Sequence, residues 1–226
     1  MAPNVSSALE KIISAQSHPF VGKQVALPPG NVLAFKIDRK GKDIGYQHMM
    51  FAERADGSLE VNIHIDIKVV VGFITFYDFL HENTEVWKDG NLLSLNSRTR
   101  LDGKNTQLSI RRVEDMLVVN NGESEDVVVG SLKPSSYWYA DFTLQDQVID
   151  TATGKLLDLA PEYLGSSQGD EADRHSFTLT KDIPADVVYS DAGHWVGFTF
   201  GKARDVTYTP VSADALPPRE KWRHFD

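Results

Sequence analysis

From Val32 onward the apolar residues of this chain fall mostly at alternate positions, in short runs that stop at turn signals. VNIHIDIKVVV at 61–71 is the clearest run. Val61, Ile63, Ile65, Ile67 and Val69 lie on one side of an extended chain, and Asn62, His64, Asp66 and Lys68 on the other. Turns are marked by RKGK at 39–42, ADG at 55–57, DG at 89–90 and 102–103, NNG at 120–122, ATG at 152–154 and DAG at 191–193. This is the grammar of an antiparallel meander. Its long strands are expected to roll into a β-barrel or a strongly curved sheet.

The ends read differently. In VSSALEKIISAQ at 5–16, Ala8, Ile12 and Ile13 are spaced for one helical face, and Ser7 and Glu10 for a capping box, so a short N-terminal helix is expected. LPPG at 27–30 ends that lead-in. The chain therefore divides into a helix and lead-in over 1–30, one all-β domain over 31–210, and an irregular tail over 211–226 with Trp222 as an anchor. The polar stretch 165–174 is expected to be an exposed loop. No repeat of solenoid or propeller period occurs.

The turns also set registers. A two-residue turn at Asp89-Gly90 places Trp87 opposite Leu92, Glu85 opposite Ser94 and His81 opposite Arg98. Asp102-Gly103 places Arg98 opposite Gln107 and Leu95 opposite Ile110. A three-residue loop at 55–57 pairs His48 with His64, Tyr46 with Asp66 and Ile44 with Lys68, and a slip of one residue would turn His48 to the other face. On this reading Phe76, Leu80, Val86, Leu93, Leu95, Leu108 and Ile110 share one face. Tyr77, Phe79, His81, Glu85, Trp87, Asn96, Arg98 and Gln107 share the other. Aromatic rings mixed with an acid, an imidazole and a guanidinium suit a ligand pocket.

Composition narrows the partners. The 226 residues can bury a sizeable core, and no cysteine is present for a disulfide or a thiolate site. A net charge of -9 argues against nucleic acid and anionic membranes as main partners. No apolar run approaches a spanning helix, and a basic region with an apolar stretch is missing from the start, so a cytoplasmic location is expected, or a periplasmic one if a leader was removed. A homodimer closing the barrel mouth is compatible with the pattern.

The polar stripe 62–68 has two readings, as wetted surface or as lumen wall. In a lumen, Lys68 ahead of VVVGF would be a desolvated base. His64 and Asp66 stand about 7 Å apart along the strand, and His81 and Glu85 about 13 Å, so each pair brackets a space. His48, His64 and His81 on neighbouring strands are compatible with zinc or iron, yet no compact metal motif supports this and no metal or cofactor is expected. GxSxG, GxGxxG and Walker motifs are absent. SSYWYADF at 135–142 reads as a strand with Tyr137 and Tyr139 on one side and Trp138 on the other, Trp138 being a candidate stacking wall.

KDIGYQHMMF, HENTEVWKDGNLLSLNSRT, SSYWYADF, VIDTATGKLLDL and SDAGHWVGFTF together resemble the bacterial domain of unknown function 6134, akin to domain of unknown function 3108, over about residues 32–209. The resemblance implies a barrel-like antiparallel fold and no settled activity. It highlights His48, Lys68, His81, Glu85 and Trp87. Many members resemble exported proteins, whereas this chain opens on a capped helix.

Two functions remain in view. One is a cofactor-independent lyase or isomerase working by acid–base chemistry on a small phenolic compound, for example by retro-aldol release of formaldehyde. Lys68, His81, Tyr77 and His48 would be catalytic, with Lys68 or His81 as base. Tyr77 or Arg98 would hold the oxyanion, Tyr46 and Trp87 would stack on rings, and His64, Glu85, Arg98 and Trp138 would line the substrate. The other is a non-catalytic barrel that holds a small ligand or assists envelope assembly.

Overall fold

A computed structural model describes residues 18–23, 26–169, 172–201, 203 and 205–225. The helix expected over 5–16 lies outside the described residues. Eight strands follow one another as a meander: β1 (Val32–Arg39), β2 (Lys42–Glu53), β3 (Leu59–Val71), β4 (Ile74–Lys88), β5 (Asn91–Leu101), β6 (Lys104–Val113), β7 (Met116–Asn120) and β8 (Glu125–Val129). Short strands β9 (Lys133–Pro134), β10 (Gln147–Ile149) and β11 (Leu156–Asp158) form a separate three-stranded sheet. A second meander contains β12 (Pro161–Ser167), β13 (Arg174–Leu179), β14 (Ala185–Ser190), β15 (Trp195–Phe200) and β16 (Val206–Pro210).

The two meanders join where β16 pairs antiparallel with β1, giving one thirteen-stranded sheet with β12 and β8 at its edges. The sheet is curved and not closed. Segment 130–160 lies between the two edges in sequence and supplies Trp138, Tyr139, Phe142, Val148 and Ile149 to the core. The described residues are thus nearly all-β, as the turn spacing predicts. No helix among the described residues is long and apolar enough to cross a membrane.

The turns obey their residues. Asp89 and Gly90 have φ of 50° and 74°, and Asp102 and Gly103 have 49° and 83°, the left-handed pair that a two-residue hairpin requires. Two further reversals carry weaker signals: Gly72-Phe73 between β3 and β4, and Glu114-Asp115 between β6 and β7.

Odd positions of β3 and β4 face the core. Val61 and Ile63 are buried there, beside Met49 and Phe51 of β2 and Phe35 of β1. The expected pairs His48 with His64, Tyr46 with Asp66, Trp87 with Leu92, Arg98 with Gln107 and Leu95 with Ile110 all form. The ladder of β2 on β3 ends at Gly45 opposite Ile67.

One register is corrected. A bulge beyond Trp87 leaves Leu93 unpaired, so Glu85 faces Leu95 and His81 faces Thr99, and Arg98 lies opposite Glu82 instead of His81. The extra residue inverts the alternation of β5 and β6 relative to β4. Leu95, Leu108 and Ile110 therefore share the inner face with His81, Glu85 and Trp87, while Asn96, Arg98 and Gln107 share the outer face with Leu80 and Val86. The polar stretch 165–174 is shortened as a loop, because β12 runs to Ser167 and β13 begins at Arg174. SSYWYADF is not a strand either. Tyr137 has φ of 61°, and a 3-10 turn begins at Ala140.

Candidate functional site

The residues proposed from sequence divide between the two faces of the sheet. His81, Tyr77, Glu85 and Trp87 lie on the inner face of β4. His48, Tyr46, His64, Lys68 and Arg98 lie on the outer face. Lys68 is exposed, so it does not share a chamber with His81. The amine and imidazole bases of the lyase reading are not assembled together.

On the inner face, β3, β4, β15, β16 and the 130–160 segment enclose a cavity of about 640 Å³. Ile65, Ile67, Phe79, Phe198, Tyr137 and Tyr208 form its walls, and His81 is a polar group among them. A deeper void of about 60 Å³ continues past His81 to Trp195 and Gln47. The β3–β4 hairpin projects at the mouth, where Phe76, Tyr77 and Phe200 are partly exposed while lining the cavity, as Arg39 does beside its partner Asp205. Phe76 turns inward because a second bulge follows Val69, leaving it without a partner in the ladder.

His81 is 2% exposed, and its Nδ1 lies 2.8 Å from Thr99 Oγ1. Burial lowers its pKa to about 4, so the imidazole is neutral at neutral pH. Burial raises the pKa of the Tyr137 and Tyr208 phenols, which stay protonated as donors.

Glu85 serves a different purpose. It is fully buried and accepts bonds from Trp87 Nε1 at 2.8 Å, Trp138 Nε1 at 3.0 Å and Asn83 Nδ2 at 2.8 Å. Burial raises its pKa against the opposing effect of these donors. Glu85, Trp87 and Trp138 thus tie β4 to segment 130–160, and none of the three lines the 640 Å³ cavity.

The outer face is polar, yet partly roofed. Trp222 of the tail stacks on His64 with centroids 4.9 Å apart and meets His48 edge-on at 5.0 Å. Arg223 holds Asp66 through Nε at 2.9 and 3.0 Å, and also bonds Asp78. His224 Nδ1 lies 2.9 Å from Glu82 Oε1, and Phe225 lies under the Arg98 guanidinium at 4.5 Å. Of the stripe at the centre of β3, His64 and Asp66 are therefore buried by the tail, and Lys68 is left in solvent. Beside the tail runs a groove of about 820 Å³, lined by His48, Asn62, His64, Glu82, Arg98 and Trp222, among others. Burial, helped by Arg219 and His64, lowers the His48 pKa to about 4. Tyr46 stacks on His64 at 5.7 Å, and burial together with Asp66 raises its phenol.

The cavity residues missed in sequence, Phe198, Tyr208, Ser135 and Thr151, come from the second meander and from segment 130–160. Their inward positions in alternating strands were the available signal for Phe198 and Tyr208. Nothing local marks Ser135 or Thr151.

Among solved structures, the chain is similar to a beta-barrel-like protein of domain of unknown function DUF1849 from Brucella abortus. The TM-score is 0.54 at 10% identity, covering 80% of this chain and 94% of that one, which speaks for the fold alone. No curated protein matches. Residues 35–211 match the family described as Domain of unknown function (DUF6134), and the chain belongs to that family.

Proposed function

We propose that the protein binds a small apolar, ring-bearing molecule in the inner cavity. The observation that carries this reading is the cavity itself: about 640 Å³, inside the range of small-molecule sites, walled by aliphatic and aromatic side chains with His81 among them. A neutral imidazole and two protonated phenols offer hydrogen bonds to a hydroxyl or carbonyl without demanding a charged ligand. The apolar β3–β4 hairpin at the mouth supports the same chemistry, since Phe73, Ile74 and Phe76 leave a greasy rim.

The test is a titration with 2-naphthol followed by the fluorescence of the protein's tryptophans. Saturable binding is expected, and Ile67→Trp, which fills the cavity, is expected to abolish it while leaving the denaturation midpoint within a few degrees. Absence of saturation below about 1 mM, or equal binding by the filled variant, would overturn the reading.

A second reading adds acid–base chemistry on the bound ring, with His81 as base and Tyr77 as oxyanion holder. Its support is the neutral state of His81 beside the cavity. Formaldehyde release from hydroxymethyl phenols that disappears in His81→Ala, with 2-naphthol affinity retained, is the expected signature. Equal release by that variant counts against it.

A further inference from the structure

We propose that His64, Glu82 and His224 form a binding site for one divalent transition-metal ion of the zinc class. One nitrogen or oxygen from each of the three lies within 4.8 Å of those of the other two. His64 comes from β3, Glu82 from β4, where the two are paired across the ladder, and His224 from the tail that crosses above them. Two imidazoles and one carboxylate are a set that zinc accepts, with a fourth position left for water.

The distances suit the ion. Ligand atoms on tetrahedral zinc sit about 3.3 Å apart, given bonds of about 2.0–2.1 Å. Glu82 Oε1 is 2.9 Å from His224 Nδ1 and 3.7 Å from His64 Nδ1, which brackets that spacing. His224 and Glu82 are partly exposed, so small rotations close the remaining gap.

His64 adds an independent observation. It is 7% exposed, and its Nε2 is buried with no hydrogen-bond partner. Nothing at Nε2 competes for its proton, so with an ion at Nδ1 in place of the Glu82 contact the proton can rest on Nε2 and leave the Nδ1 lone pair directed at the site. Stacking between Tyr46 and Trp222 holds the ring plane. The groove alongside gives the ion a path from solvent. An ion here would bind the tail to β3 and β4 at a single point.

The experiment uses the full chain without a polyhistidine tag. Titration with Co²⁺ is expected to give one equivalent bound, with the intense visible absorption of a low-coordinate site, and Zn²⁺ is expected to displace it. Glu82→Gln and His224→Ala change partly exposed side chains, so both are expected to keep the native circular dichroism and to weaken Co²⁺ binding at least tenfold. Zn²⁺ should also slow amide exchange at residues 222–225 in the parent chain and not in Glu82→Gln. Substoichiometric binding, affinity unchanged in both variants, or exchange unaffected by Zn²⁺ would overturn the assignment.

Discussion

Glu85 separates two costs that are usually entangled, the loss of an acceptor and the burial of a charge. Its carboxyl accepts from two indoles and an amide with no exposure to solvent. In Glu85→Leu three donors lose their acceptor inside the core, at about 1–3 kcal/mol for each buried unsatisfied group, so a loss of at least about 3 kcal/mol is expected. Glu85→Gln keeps one carbonyl oxygen for the two indoles that now share Oε2. Its amide nitrogen then faces Asn83, whose Oδ1 is buried without a partner. A flip of the Asn83 amide turns that oxygen toward the new donor, so the ladder of bonds survives. The expected change is within about 1 kcal/mol, because removing the charge offsets the weaker neutral bonds.

The pH dependence gives the sign. Burial holds the native carboxyl above its ordinary value of 4.5, so protonation is more favourable in the native state than in the unfolded chain. Stability from this preference is present at low pH and is lost as pH rises through the native pKa. Glutamine does not titrate. The advantage of Glu85→Gln over the parent should therefore grow from pH 5 to pH 9 in urea denaturation followed by tryptophan fluorescence, for which Trp87 and Trp138 report at the site. Equal damage by Gln and Leu at every pH would refute the reasoning.

Acid should act through His81. Its native pKa near 4 lies below the unfolded 6.5, so between these values only the unfolded chain takes the proton, and stability falls on acidification by about 3 kcal/mol. The slope should flatten in His81→Leu, measured as midpoints across that range, and an unchanged slope would count against it. Arg223→Met leaves Asp66 beneath the tail without its cation, with an expected cost of about 2 kcal/mol and faster proteolysis at the tail; a protease-resistant variant would contradict this. Gly45→Ala should cost about 3 kcal/mol or more, because a Cβ there would lie 2.0 Å from the Asp66 carbonyl oxygen and push β2 from β3. An unaltered melting temperature would be the contrary result.

Local chemistry explains which parts of this architecture were legible in the sequence. Asp89-Gly90 and Asp102-Gly103 need positive φ at both positions, so these hairpins and the pairs nearest their turns could be read directly. The bulge at Leu93 has no such signature, and it moved Arg98 away from His81 by altering the face of every residue beyond it. Periodicity also set the stripe 62–68 apart from the apolar side, but it left open whether that stripe was wetted surface or lumen wall and did not show what covers it. The covering comes from Trp222, Arg223 and His224, in a tail with no repeat of its own, so the burial of His64 and Asp66 depends on contacts more than 140 residues away in sequence. The inner cavity was hidden for a related reason: more than half of its wall belongs to the second meander and segment 130–160.

The pairing of β16 with β1 carries a consequence for biosynthesis. Strand β1 zips onto β2 soon after both leave the ribosome, but its other side has no mate until nearly the entire polypeptide has been made. Throughout that interval a ribbon with Leu33, Phe35 and Ile37 along its greasy flank presents unmatched amide and carbonyl groups to neighbouring nascent chains. Slow translation, or a stall before Val206, should therefore leave an adhesive intermediate, and chaperone occupancy should drop once the final strand snaps into its slot.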